Sequence, residues 1–229
     1  MVETIMAVFG HIGDAELTGG GVLATQALQG ARIVTVALTG GERGNPPGVS
    51  IADYRHQKEK EAADFAAMLG GESIVMPYID GELPDSEEVR FRLADLIRKY
   101  KPTMLLTHWK NSMHRDHIRT HNIVLDAQFY AALSSFERPL PPHFAPGPYY
   151  AENWEDAEGF TPYVYMKVSP EGFALWQKAI ECHWFTTHST SFAYKRYYEN
   201  LMGMRGCLAR SAYAEAFDVE PNTKKKVME

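Results

Sequence analysis

The sequence predicts a single α/β domain over residues 1–229, built on a mostly parallel, doubly wound sheet. Three observations carry that expectation. Short apolar, β-branched runs alternate with amphipathic helical patterns through the first half of the chain, which is how successive βαβ units read. The runs end in glycine or in polar loops. Two of them empty directly into histidine and aspartate, at the edge where open α/β sheets bind ligands.

The first strand is expected at Ile5–Phe9, closed by Gly10, and a helix at Glu16–Gln29. Ile33–Leu38 is a second strand, and Gly40, Gly41, Gly44, Pro46, Pro47 and Gly48 mark the loop after it. A helix follows over Tyr54–Leu69, with Tyr54, Ala62, Phe65, Ala66 and Leu69 on one face and Gly70-Gly71 as its stop. Ser73–Pro77 is a third strand, Asp80-Gly81 a turn, Glu87–Lys99 a helix and Met104–Thr107 a fourth strand that runs into His108. Residues 134–161 break the pattern with Pro139, Pro141, Pro142, Pro146 and Pro148. Phe144, Tyr149, Tyr150 and Trp154 make this an ordered functional excursion, since disordered segments are poor in aromatics. Tyr163–Val168 is a further strand and Glu171–His183 a further helix.

Composition bounds the function. A formal charge of −6 argues against nucleic acid as a partner. The run Lys224-Lys225-Lys226 reads as a frayed tail. Two cysteines, Cys182 and Cys207, make no disulfide framework and fit a reducing cytoplasm. No leader-like or membrane-spanning stretch stands out.

The chemistry lies in two segments. His11 and Asp14 follow the first strand, and His114-Arg115-Asp116-His117 follows the fourth. Loops after different parallel strands meet at one sheet edge, so the two pairs are expected to converge although a hundred residues separate them. Imidazoles with a carboxylate suit zinc or a similar divalent ion with an open position for water. Asp116 is placed to orient an imidazole. His121, one helical turn beyond His117, reads better as a supporting histidine than as a further ligand. His56, His143, His183 and His188 lack a strand-edge context and read as structural, with His183 and His188 as lesser pocket candidates. Glu16, in a first helical turn, is favoured there by the helix dipole whatever its function.

These residues carry a family resemblance over most of the chain. Gly10-His11-Ile12-Gly13-Asp14-Ala15-Glu16-Leu17, Leu38-Thr39-Gly40-Gly41-Glu42-Arg43-Gly44, Arg55, Asp80-Gly81-Glu82-Leu83, His114-Arg115-Asp116-His117 and Tyr213-Ala214-Glu215-Ala216-Phe217 together resemble the PIG-L/LmbE-like zinc-dependent deacetylases. The resemblance implies a Rossmann-like fold, often homo-oligomeric, and hydrolysis of N-acetyl groups on glucosamine-type small molecules. It implies His11, Asp14 and His117 as zinc ligands, His114 as the group that polarises the substrate carbonyl or stabilises the oxyanion, Asp116 as its support, and Arg55 and Asp80 as sugar contacts.

The chain departs from the family at Gly13, where the family carries its general base. General acid–base catalysis supplies roughly 10²–10⁴-fold, so a conventional deacetylase without it is slow. Three readings stay open: Glu42 replaces the missing acid; the same metal site hydrates an unsaturated organic acid, as in a resembling hydratase with Glu42 handling the proton; or the site binds without catalysing.

Overall fold

A computed structural model describes residues 3–224; Lys225 and Lys226 of the basic run lie outside them. The strands are β1 (Thr4–His11), β2 (Arg32–Thr39), β3 (Glu72–Tyr78), β4 (Met104–His108), β5 (Tyr149–Ala151), β6 (Val164–Val168) and β7 (Tyr213–Asp218). They form one sheet in the order β3-β2-β1-β4-β5-β7-β6. The first five are parallel, and β7 and β6 close the far side antiparallel. This is the doubly wound α/β architecture that the alternation of runs predicts.

β1 shows why the fold holds. Successive strand side chains point to opposite faces. Ile5, Ala7 and Phe9 enter one apolar layer with Leu23, Trp176 and Phe217, while Met6 and Val8 enter the other with Val34, Val36, Leu105 and Ile123. A strand buried on both faces reads as a continuous apolar run rather than an alternating one.

The helices are α1 (Asp14–Thr18), α2 (Gly20–Leu28), α3 (Ile51–Met68), α4 (Glu87–Tyr100), α5 (Arg115–Ala132), α6 (Pro170–Ala179), α7 (Trp184–His188) and α8 (Tyr194–Ala209). Two expected helices are broken. Glu16–Gln29 divides at Gly19, where the buried Glu215 carboxylate accepts the Gly21 and Val22 amides at 2.9 and 2.8 Å and caps α2 from β7. Glu171–His183 stops as a helix at Ala179, and a single tight turn over Ile180–Cys182 leads into α7. The excursion holds β5 and a turn at Trp154–Asp156.

Sheet order reverses between β1 and β4, because β1 connects onward through β2 and β3 while β4 leads to β5. Their C-terminal ends therefore open the crevice in which ligands of such sheets bind.

Candidate metal centre and active site

β1 delivers His11, and the chain turns at Gly13 to start α1 with Asp14. Gly13 adopts φ +107, a left-handed conformation that side-chain-bearing residues avoid. The turn is held by Glu16, whose Oε2 accepts the Gly13 amide at 3.0 Å. Burial pushes the Glu16 carboxyl up to about 7. β4 delivers His108, and after a short loop His114 caps α5: its Nδ1 accepts the Asp116 amide at 3.2 Å. One turn into α5, His117 faces His11.

Three atoms converge. His11 Nδ1 lies 3.1 Å from Asp14 Oδ2 and 3.2 Å from His117 Nε2, and His117 Nε2 lies 3.4 Å from Asp14 Oδ2. Tetrahedral ligation at about 2.0–2.1 Å puts donor atoms roughly 3.3 Å apart, so the triangle fits a zinc-like ion. The opposite ring nitrogens agree with that use. His117 Nδ1 faces Asp156 Oδ1 at 2.9 Å, and His11 Nε2 faces Asp80 Oδ1 at 3.1 Å and Asp116 Oδ2 at 3.6 Å. A carboxylate behind each imidazole keeps the proton on the remote nitrogen and leaves the inward lone pair for a cation. Burial alone would lower the His117 pKa, but Asp14 and Asp156 outweigh it and hold the imidazole at about 9. For His11, burial is likewise outweighed by Asp14 and by the Asp116 and Asp80 carboxylates. So much negative charge around two imidazoles is the donor set of a cation site.

The structure relocates several expected contacts. The Asp116 carboxylate approaches His11, not His114, and its Oδ2 accepts the Gly81 amide at 2.6 Å. Asp80 lines the cavity, and its pKa is depressed because its contacts with His11 outweigh burial. Glu42 and Arg55 are absent from the cavity lining. Glu42 is buried; its Oε1 accepts the Asp80 amide at 3.1 Å and lies 3.4 Å from Arg55 Nη1. Arg55 donates to the Tyr78 and Met76 carbonyls at 2.9 Å each, tying α3 to the end of β3. His121 is buried against the His108 carbonyl, with 3.0 Å from Nδ1 to the oxygen, away from the triangle. His183 is fully buried, whereas His188 lines the cavity.

Four residues without an expected role take part. His108 stacks on His117 with ring centroids 3.7 Å apart, its Nδ1 2.9 Å from Asp156 Oδ2 and its Nε2 accepting the Gly10 amide at 3.0 Å. Asp156, fully buried, thus spans both rings. Glu155 Oε2 lies 3.8 Å from His117 Nε2, and burial raises its pKa. Lys58 reaches the cavity from α3. The readable signal for Lys58 was a cation on the helix face that carries Tyr54, Ala62 and Phe65.

The cavity above the triangle holds about 710 Å³ and is walled by Trp154, Trp184, Phe185, Tyr54, Tyr194 and Tyr198. That is the size and character of a small-molecule site. His114 lines it, with Nε2 3.9 Å from Asp80 Oδ1 and Nδ1 already engaged as an acceptor, so the proton sits on Nε2. Burial, with His11 and His117 nearby, lowers the His114 pKa and keeps the ring neutral.

Known proteins share this architecture. The 4-carboxy-2-hydroxymuconate hydratase of Pseudomonas putida superposes with a TM-score of 0.88 at 22% identity, over 100% of this chain and 99% of that one. The N,N'-diacetylchitobiose deacetylase of Pyrococcus horikoshii gives 0.82 at 21% identity, over 96% and 84%. In sequence, the chain is 29% identical to the mycothiol S-conjugate amidase of Streptomyces coelicolor over 148 residues, 54% of this chain and 50% of the amidase. It is 25% identical to the 4-oxalmesaconate hydratase of Pseudomonas putida over 195 residues, 79% of this chain and 72% of the hydratase. The match thus spans half the length of the amidase. The family model described as PIG-L, GlcNAc-PI de-N-acetylase, matches residues 6–128, more than half of the chain, and the chain belongs to that family.

Proposed function

We propose that the protein is a metal-dependent hydrolase of deacetylase type, acting on an amide of a small molecule such as an N-acetylated sugar derivative. The observation that carries the reading is the triangle of His11 Nδ1, Asp14 Oδ2 and His117 Nε2, with His114 lining the same cavity. Family membership and the amidase relative support hydrolysis of a C–N bond. Two imidazoles and one carboxylate suit zinc or a similar divalent ion. A bound divalent ion supplies Lewis acidity and lowers the pKa of a coordinated water to about 7.

The protein's own groups do the rest. His114 Nε2–H donates to the oxygen on which negative charge develops when water adds to the carbonyl carbon. Glu155, with its pKa raised by burial, takes the proton of the attacking water at Oε2 and returns it to the leaving amine. Glu155 holds this role in preference to Glu42, whose carboxylate is engaged by the Asp80 amide and Arg55 outside the cavity. Asp80 keeps the His11 ring in register, and Asp156 does the same for His117. A cytoplasmic homo-oligomer completes the reading; its two free cysteines are compatible with a reducing compartment.

One observation favours a second reaction on the same site. A Cβ on Gly13 would lie 2.6 Å from Phe185 Cζ, so the site has no room there for the acid that the resemblance expects, and a hydratase is among the relatives. Addition of water across a carbon–carbon double bond needs no amine to be protonated on departure. The test is one assay series on protein purified without chelators. It is expected to hold about one divalent ion per chain, lost in His117→Ala, and to release acetate from N-acetylglucosamine-type amides, with Glu155→Gln inactive and Glu42→Gln active. Turnover of unsaturated acids with none of the amides selects the hydratase, and metal-free wild-type protein rejects both.

A further inference from the structure

Two glycines beside the metal triangle make room for a cation and a ring. Gly41 has φ +64, and a Cβ placed there would lie 2.7 Å from Lys58 Nζ and 3.0 Å from His11 Cβ. The ammonium and the ligand histidine therefore flank the same bare backbone. A Cβ on Gly13 would lie 2.6 Å from Phe185 Cζ, and that ring sits 5.1 Å from Lys58 Nζ. Where the family pattern has an acid at position 13, this cavity wall presents an aromatic ring backed by a cation.

Lys58 is underused by the protein itself. It is only 6% exposed, yet an ammonium has three N–H donors. Its hydrogen bond among the described residues is a long one, 3.3 Å to the Gly41 carbonyl. Asp14, Asp80, Glu61 and Glu16 face it through space without a hydrogen bond to it among the described residues; burial lowers its pKa and these carboxylates oppose that fall. A buried charge left with spare donors at the wall of a cavity is incomplete until something accepts from it.

We propose that the substrate carries a carboxylate and that Lys58 is the specificity residue that receives it. The inference rests on the reading that this cavity is the substrate site, and it holds for either reaction, since the carboxylate is remote from the carbon to which water adds. The aromatic walls then hold the body of the substrate between the Lys58 ammonium and the triangle, with the ring of Phe185 beside the anion-binding head.

The test compares a dicarboxylate with its half-amide. Succinate and succinamate are titrated calorimetrically into wild-type protein, Lys58→Met and Lys58→Arg, each with its zinc content measured. A charge-assisted hydrogen bond in a desolvated site is lost at a cost of roughly tenfold or more in affinity. Wild type is expected to bind succinate at least tenfold more tightly than succinamate. Lys58→Met should erase the difference at unchanged zinc content, and Lys58→Arg should retain most of it. Equal binding of the two ligands by wild type, no binding of either at millimolar concentration, or discrimination that survives in Lys58→Met overturns the proposal. Wild-type protein that takes up no zinc rejects the metal reading instead, and the succinate–succinamate comparison still decides the role of Lys58. If Lys58→Met does not fold, the wild-type and Lys58→Arg arms carry the decision.

Discussion

The edge of the Phe185 ring occupies the space that a side chain on Gly13 would need, with 2.6 Å between a Cβ built there and Phe185 Cζ. The two residues come from distant parts of the chain, Gly13 between β1 and α1 and Phe185 in α7. Gly13 therefore has two constraints on it: Phe185 leaves no room for a side chain, and the backbone there holds a conformation that glycine adopts without strain. Gly13→Asp is expected to destabilise the protein by about 2 kcal/mol or more, from backbone strain and the clash together. Adding Phe185→Ala should recover the steric part and leave the backbone part. Urea denaturation of the single and double variants checks this, and a stable Gly13→Asp single variant contradicts it. Amine release is best assayed in the double variant, where the new carboxylate has room.

Asp156 provides the next prediction. It is fully buried, and its two oxygens face the outer nitrogens of His117 and His108 at 2.9 Å each. An amide in its place offers one acceptor where two are used. Losing such an orienting carboxylate typically weakens metal binding by about 10–100-fold. Asp156→Asn should therefore lower zinc affinity by that factor in a chelator competition, although Asp156 does not line the cavity. Unchanged affinity would mean that the triangle holds without it.

The sheet edge was legible in the sequence because the residues that build it are local. Ile5–Phe9 with His11, and Met104–Thr107 with His108, each announce a strand and its outgoing loop within ten residues. The rest depends on long-range packing. β5 is three residues long, and β7 is a strand because it pairs with β6 and β5, which no local period reveals. The Gly19 break takes its physical reason from Glu215, nearly two hundred residues away. In the site, Asp156 and Phe185 sit in segments whose local pattern is merely aromatic or helical, and their roles exist only once α5 and α1 come against them. Arg55 and Lys58 make the same point: both are cations of α3, and one turn of helix decides which is tied to the β3 carbonyls and which enters the cavity.

His183 is expected to make stability fall in acid. It is fully buried, neither ring nitrogen has a hydrogen-bond partner among the described residues, and burial, with Lys58 nearby, pushes its pKa down to about 3. In the unfolded chain it titrates near 6.5. Between those values the unfolded state binds the extra proton, so stability rises with pH up to about 6.5 and is lost as pH falls below it. The loss from this one group approaches 1.4 kcal/mol per pH unit. His183→Leu should flatten that acid limb in pH-dependent urea melts between pH 4 and 7. A variant with the wild-type slope would assign the acid sensitivity elsewhere.

Arg98 links the sheet to both halves of the site. It lies on the buried face of α4 and is only 2% exposed. Its guanidinium donates to the carbonyls of Ala131, Leu140, Tyr130, Leu133 and Phe136 at 2.8–3.1 Å. Tyr130 and Ala131 end α5, the helix that begins at the His114 cap; Leu133, Phe136 and Leu140 lie in the stretch that leads to the turn carrying Glu155 and Asp156. One side chain therefore satisfies helix-end carbonyls that have no partner within the helix and fastens the start of the excursion to them. Lysine cannot reproduce a planar five-donor fork, and methionine offers no donor at all. Each buried carbonyl left unpaired costs about 1–3 kcal/mol, reduced wherever water can enter. Arg98→Met is expected to lose roughly 3 kcal/mol or more in urea denaturation, and Arg98→Lys somewhat less. Because the clamp acts on placement and not on the candidate ligand atoms, metal stoichiometry in the fraction that folds should stay at wild-type level. A drop in zinc content without loss of stability would instead make Arg98 part of the site's own electrostatics.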